Sequence, residues 1–182
     1  MKTLHQSERM KTVFQRPPLV AFKRDKNLKD ILIHKKHNNI FYKTKNISEP
    51  CAKNCAVCPH MVESTTFTDV ENRQYKVKGY INCHSANVIY SIFCDSCNKT
   101  VYVGQTESLY QRMILNFSMI RTKKPDPVAV HFNSANHSSE DLKIKGVEKV
   151  YGSDTYRKVR ESFWIKKLNT LQPNGLNSQI DV

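Results

Sequence analysis

The clearest periodic signal along the chain lies between residues 88 and 104, VIYSIFCDSCNKTVYVG. Val88, Tyr90 and Ile92 alternate with their neighbours, and Val101 and Val103 alternate around Tyr102, leaving 94–98 for a turn. Strand side chains point to opposite faces in turn, so the pattern predicts an antiparallel pair. LKIKGVEKV (142–150) alternates as a third strand, and Phe67, Tyr75, Val77, Tyr80 and Ile81 suggest a separate hairpin turning near Glu71 and Asn72. Between the second and third strands the period becomes helical. Thr106 can cap a helix over 107–121 whose apolar face is Leu109, Met113, Leu115 and Phe117. Residues 122–127 read as a loop, and 128–132 as a helical turn carrying His131.

Ser153 and Asp154 are cap candidates for a last long helix, 154–170. At ~100° per residue from Val159, Trp164 falls at about 140°, Leu168 at about 180° and Ile165 at about 240°. Glu161 falls at about 200°, in the middle of that apolar arc. A carboxylate there needs a partner, because burying it unpaired costs on the order of several kcal/mol. Two partners fit the pattern equally: one of the many lysines, or a metal ion at the floor of a cleft. Ahead of these elements, residues 1–50 are basic and weakly patterned, with Pro17-Pro18 and a short helical candidate at Leu28, Ile31 and Leu32. The expected division is an arm or linker (1–50), a cysteine-bearing knuckle and hairpin (51–85) and a main domain (86–182).

Composition adds a sign to this picture. Lys plus Arg is 29 against 16 acids in 182 residues, a net charge of +13 with a pI near 9.5. Such a field attracts polyanions, of which nucleic acid is the commonest. Hydrophobic residues make up 39% and mean hydropathy is −0.57, which suits one medium domain with an appendage. No apolar run approaches the ~20 residues that span a bilayer, and MKTLHQSERMKT has no signal-like apolar stretch, so no membrane partner is expected. The six cysteines are then expected to be reduced, in a cytosolic or nuclear setting.

Under those conditions Cys-x-x-Cys holds zinc or does redox chemistry. Cys94 and Cys97 sit on a strand–turn–strand platform, whereas redox pairs open a helix, so zinc is the better reading. Cys51, Cys55 and Cys58, followed by Cys83 beyond the predicted hairpin, have the spacing of a closed four-thiolate site. His60 or His84 could replace one of those cysteines. Lys53, Lys76 and Lys78 would lie near phosphate.

The order of these features resembles a known family. Val88-Ile89-Tyr90 and Tyr102-Val103-Gly104 are followed by Arg112 on a helix, Glu161 on a later helix and Asn177 in LQPNGLN. Together they resemble the GIY-YIG endonuclease domain. Cys94-x-x-Cys97 between the tyrosine motifs, with HFNSANH after the arginine helix, resembles more specifically the endonuclease of Penelope-like retroelements. PPLVAFKRDKNLKDIL resembles the sequence that joins a reverse transcriptase to that endonuclease. The resemblance covers residue 17 to the end.

What the resemblance implies is an α+β fold: a small three-stranded antiparallel sheet flanked by helices, here with an N-terminal zinc-binding insert. It implies hydrolysis of a DNA phosphodiester with one Mg2+ or Mn2+ ion. Arg112 matches the guanidinium that stabilises charge on the phosphate, and Glu161 matches the carboxylate that holds the ion. Tyr90 matches the tyrosine proposed as general base or relay, and nearby cations would have to lower a phenol pKa of ~10. Tyr102 matches the tyrosine that positions water or phosphate, and Asn177 a late asparagine that packs against or orients the site. Gly104 would let the chain turn sharply into the arginine helix. His131 and His137 match the histidines that complete a zinc site with Cys94 and Cys97, giving two structural zinc ions in all. The implied partners are DNA, a reverse transcriptase in cis or as the rest of the element, and element RNA; the implied compartment is the nucleus.

The chain departs from the pattern at Val88, where the glycine would stand, at Val103, and at Asn116, where mobile-element members often carry histidine. Asn116 keeps a second reading in play, a nuclease-derived module that binds nucleic acid without turnover. A RING-like module would need interleaved cysteine pairs, which 51–83 does not supply. On the residues alone, Tyr90 and Tyr102 also read as ordinary strand aromatics with hydroxyls at the surface.

Overall fold

The computed structural model describes Thr12 and residues 45–69, 71 and 73–178; all but Thr12 belong to one unit, Lys43–Val182. The helical candidate at Leu28, Ile31 and Leu32 lies outside the described residues. The chain runs β1 (Ile47–Ser48), β2 (Thr66–Thr68), β3 (Gln74–Lys76), β4 (Tyr80–Ile81), β5 (Val88–Cys94), β6 (Lys99–Thr106), α1 (Leu109–Arg121), α2 (Pro127–Phe132), β7 (Leu142–Lys149) and α3 (Asp154–Leu168). Single 3-10 turns stand at Cys58–His60 and Ser139–Asp141.

The expected small antiparallel sheet is present, in the order β6-β5-β7 with β5 in the centre. Residues 88–92 of β5 are each at most 1% exposed, so both faces of the strand are covered. Each outer edge is covered as well, which removes the unpaired N–H and C=O rows that invite aggregation. Along β7, Val62 donates to the Ile144 carbonyl at 2.9 Å, Lys78 to Val147 at 3.0 Å, and Lys149 back to Lys78 at 2.8 Å. Along β6, Leu176 donates to the Val101 carbonyl at 2.8 Å.

The cysteine-bearing segment packs on this sheet. β2 and β3 form the predicted hairpin, turned around Asp69. One carboxylate oxygen of Asp69 accepts the Glu71 and Arg73 backbone N–H groups, each at 2.9 Å; the other accepts Arg73 Nε at 2.7 Å and the Tyr75 hydroxyl at 2.9 Å. Burial pushes this carboxyl up, but the Arg73 and Tyr75 hydrogen bonds outweigh it and hold it at about 2. β1 pairs parallel to β4, and Ile81 of β4 presses onto Gly146 of β7. A Cβ on Gly146 would lie 2.6 Å from Ile81 Cγ2, so only glycine fits there. Phe67 meets Trp164 edge-on at 5.2 Å and Tyr75 meets it at 5.9 Å, which carries one core from the hairpin to α3.

Polar contacts then fix the rotation of α3. Trp164 Nε1 donates to Glu148 of β7 at 2.7 Å, and Arg160 forks onto the same carboxylate at 2.6–3.1 Å. Glu161, the next residue, is thereby turned toward β6.

Several local expectations change. Ser108 caps α1 in place of Thr106, which ends β6 and donates its hydroxyl to the Ser108 carbonyl at 3.0 Å. The buried face of α1 is Leu109, Met113, Asn116 and Ile120, a continuous i, i+4, i+7, i+11 stripe, while Leu115 falls off that stripe and is 50% exposed. Pro127 opens α2 under the Asp126 cap instead of closing the loop. α3 ends at Leu168, with Asn169 in a left-handed conformation, and Val159 is exposed.

Candidate active site

The site begins with one cross-strand pair. Tyr90 of β5 lies opposite Gly104 of β6, and Tyr102 stands two residues earlier on β6, on the same face as Gly104. The two phenol rings are 6.3 Å apart at 45°. A Cβ on Gly104 would lie 2.7 Å from the Tyr90 hydroxyl and 2.8 Å from Tyr102 Cε1. Gly104 is therefore needed for the space it leaves beneath both rings. It does not turn the chain into α1, because β6 continues through Thr106.

Two helices close on this pair. From α1, buried Asn116 hydrogen-bonds the Tyr90 hydroxyl, and Arg112 stands one turn earlier on the same helix face. From α3, Glu161 accepts the Gln105 backbone N–H at 3.0 Å. The Tyr90 hydroxyl feels Tyr102, Arg112 and Glu161 at once. Burial first, then Tyr102, push it well above the usual phenol range; Arg112 and the Asn116 hydrogen bond pull down, and Glu161 adds to the rise. In the field of the protein's own groups Tyr90 is a neutral phenol, so Arg112 alone does not bring it into the range of a general base.

Asn177 acts on the backbone. Its amide oxygen accepts the Val103 N–H at 3.0 Å and its Nδ2 donates to the Val103 carbonyl at 2.8 Å, which pins β6 between Tyr102 and Gly104. It is buried and positions the strand.

Two cavities flank the end of β6, Gln105 lining one and its hydrogen-bond partner Glu161 the other. One of about 210 Å³ is lined by Tyr102, Asp126, Glu161, Ile165 and Asn177. The other, of about 390 Å³, is lined by Gln105, Gln111, Arg112 and Arg157. Two carboxylates line the first of these cavities, Asp126 as the cap of α2 and Glu161 from α3; a polar cavity of that kind suits Mg2+ or Mn2+, which keep several waters and take one or two protein carboxylates.

Arg157 was missed by sequence reasoning. It is 5% exposed and donates to Gln105 Oε1 at 2.5 Å, Asn87 Oδ1 at 2.7 Å, Glu107 at 3.3 Å and Asp154 at 3.0 Å. It thus ties α3 to the start of β5 and the end of β6, directly beside the Glu161 contact. The signal was available: at ~100° per residue Arg157 falls at about 160°, on the same arc as Glu161.

The cysteines and histidines form two clusters that can hold zinc. Cys51, Cys55, Cys58 and Cys83 bring their sulfurs to 3.5–3.7 Å in four pairs. Tetrahedral Zn–S bonds of about 2.3 Å place sulfurs about 3.8 Å apart, so the spacing fits. Four sulfurs this close cannot all ionise unless a cation compensates them. Burial pushes Cys83 up, whereas at Cys51 the Lys53 backbone and the neighbouring thiols outweigh burial and draw it down to about 6. His60 and His84 are not in the cluster: His60 Nδ1 bonds the Leu142 carbonyl at 2.9 Å, and His84 stacks on Tyr110.

Cys94, Cys97, His131 and His137 form the second cluster. Cys97 Sγ lies 3.7 Å from His131 Nε2 and 3.0 Å from His137 Nε2. His137 Nδ1 meets the Ser134 hydroxyl at 3.0 Å, and that hydroxyl donates to the His131 carbonyl at 2.7 Å. Nδ1 must then carry the proton, which leaves Nε2 as a lone-pair donor toward the cluster. Burial pushes the Cys94 thiol up to about 11 and lowers His131, with His137 and Lys99 adding to the latter. The β5–β6 turn is thereby joined to α2 and the loop after it.

In a comparison with solved structures, the chain is similar to the catalytic domain of homing endonuclease I-TevI, with 24% sequence identity and a TM-score of 0.44, over 51% of this chain and 98% of that one. No family model matches the sequence, and no curated protein matches it.

Proposed function

We propose that the chain is a divalent-metal-dependent endonuclease that nicks DNA by hydrolysing one phosphodiester. The observation that carries this reading is that Tyr102, Arg112 and Glu161, from three different elements, all lie within electrostatic reach of the Tyr90 hydroxyl, in a protein of net charge +13. Arg112 binds the scissile phosphate and stabilises the charge that develops on its oxygens. Tyr90, neutral and held by Asn116, donates a hydrogen bond toward the reacting oxygen. Tyr102 orients the attacking water. Glu161 holds Mg2+ or Mn2+, which supplies Lewis-acid stabilisation when bound. Water adds to phosphorus, the bond to the 3′ oxygen breaks, and that oxygen leaves with a proton as a 3′ hydroxyl.

The order of motifs supports a more specific setting, the terminal nuclease of a Penelope-like retroelement acting in the nucleus. There the 3′ hydroxyl primes a reverse transcriptase that copies element RNA. Two structural zinc ions, one in each Cys/His cluster, brace the insert and the β5–β6 turn.

One observation favours a second reading, a nucleic-acid-binding module without turnover. The group on the Tyr90 hydroxyl is the Asn116 amide, which cannot exchange a proton at neutral pH. Incubation of the protein with supercoiled plasmid and Mg2+ or Mn2+ separates the two. The nuclease reading expects nicked circles whose ends a polymerase extends without prior phosphatase, and a loss of about 100-fold or more in rate for Arg112→Ala. Intact plasmid under both metals, with DNA bound, would establish the second reading instead.

A further inference from the structure

α3 carries an unexplained face. Tyr156, Val159 and Phe163 follow i, i+3, i+7 spacing and are 49%, 51% and 44% exposed, and Tyr151, just ahead of the helix, is 75% exposed. Scattered exposed apolar residues are ordinary, but two aromatics and a valine on one helical stripe, with a third exposed aromatic just ahead of the helix, are not. On the helix, with Val159 at zero and ~100° per residue, the stripe occupies about 0–60° and Glu161 stands at about 200°, so the stripe faces away from the candidate active site.

The rings are held in place. Arg160 lies over the Phe163 ring at 4.6 Å while its fork is anchored on Glu148, and Trp164 meets Phe163 edge-on at 5.1 Å. Gly152 lies under Tyr156, where an added Cβ would sit 3.2 Å from Cδ1. Two exposed cations flank the stripe, Lys166 at about 340° and Lys167 at about 80°. The one acid near the helix start, Asp154, is paired with Arg157.

We infer that this face of α3 is a second nucleic-acid site, one that takes single-stranded DNA or RNA by stacking unpaired bases on Tyr156 and Phe163 with phosphates on the flanking lysines. Aromatic platforms bordered by cations suit single strands, because each unpaired base offers a π-face and the backbone follows the charge. A duplex offers phosphates but no open base faces, so it would use the lysines alone. A second copy of this chain would bring two more lysines against these two, which argues against self-association. The inference does not rest on the hydrolytic reading, since the two faces are on opposite sides of one helix.

The test is fluorescence anisotropy of the full-length protein with a labelled oligo(dT) 20-mer, a matching RNA and a duplex of the same length. Tyr156→Ala combined with Phe163→Ala should weaken single-strand binding at least about tenfold and leave duplex binding within about twofold. Tyr156→Phe with Phe163→Tyr should restore single-strand binding, which excludes a folding defect, and Glu161→Ala should bind the single strand as the parent does. Unchanged single-strand affinity in the alanine pair overturns the inference. So does an equal loss for duplex, or a parent that sediments as a dimer which the alanine pair dissolves.

Discussion

Replacing Gly104 with alanine strikes the site through a single methyl group. The new Cβ would stand 2.7 Å from the Tyr90 hydroxyl and 2.8 Å from both Tyr90 Cζ and Tyr102 Cε1. Ordinary carbon contacts begin at about 3.5 Å, so the rings must withdraw by about 0.7 Å. Tyr90 cannot do so without disturbing its hydrogen bond to Asn116, since both residues are buried. Overpacking of this kind costs about 1–3 kcal/mol, out of a total stability of about 5–15 kcal/mol. The variant should therefore fold at 25 °C with a lower urea midpoint and an unchanged slope. Its nicking rate should fall much further than its stability, because about 1 Å of misplacement costs on the order of 100-fold in rate. Urea unfolding followed by tryptophan fluorescence, alongside a plasmid-nicking time course on the same sample, measures both. Wild-type nicking in a variant that has lost stability would refute the catalytic role of the phenol pair. An unchanged urea midpoint would refute the packing itself.

Metal analysis of the purified protein should find two zinc atoms per chain, falling to one in either Cys83→Ser or Cys97→Ser. Chelation should lower Tm steeply, since a structural zinc contributes about 10 kcal/mol or more, and one zinc in the parent would mean that one ligand set is wrong. Asp69 has its folded pKa depressed to about 2 from an ordinary value near 3.8, so its contribution is present above pH ~4 and is lost as pH falls toward 2. The Tm of the parent should accordingly drop more steeply between pH 4 and 2 than that of Asp69→Asn, and parallel curves would remove Asp69 as the hairpin's anchor. Arg157→Lys keeps the charge but loses the fork to Asn87, Gln105 and Glu107; it should reduce nicking about tenfold with DNA affinity within about twofold, and an equal fall in both would assign Arg157 to DNA binding.

Much of this was legible in the sequence because the physics involved is local. The alternation in 88–104 marks a strand pair, and the cysteine spacings mark knuckles that need no knowledge of distant chain. Completing the ligand sets needs more than spacing: His60 and His84 stand as alternatives to Cys83, and His131 and His137 come from the family resemblance. What escaped reading depends on tertiary neighbours. Leu115 and Asn116 exchange their expected environments because the stripe on α1 is set by what it faces, Tyr90, and not by which residue is apolar. Gly104 looks like a turn residue in the sequence, and only the cross-strand register with Tyr90 reveals a packing role. Arg157 reads as one more surface cation until its four acceptors, Asn87 just ahead of β5, Gln105 and Glu107 at the end of β6 and Asp154 of its own helix, are seen together. Ser108 displaces Thr106 as a cap because β6 runs two residues further than its alternation suggested.

The most direct measurement is a paired one on Glu161→Ala: the rate of plasmid nicking in Mg2+ and the dissociation constant for the same DNA. Loss of nicking with binding retained within about threefold is the predicted result, because lysine and arginine contacts to phosphate dominate affinity. Nicking at the parent rate would contradict the assignment of Glu161 to the hydrolytic centre.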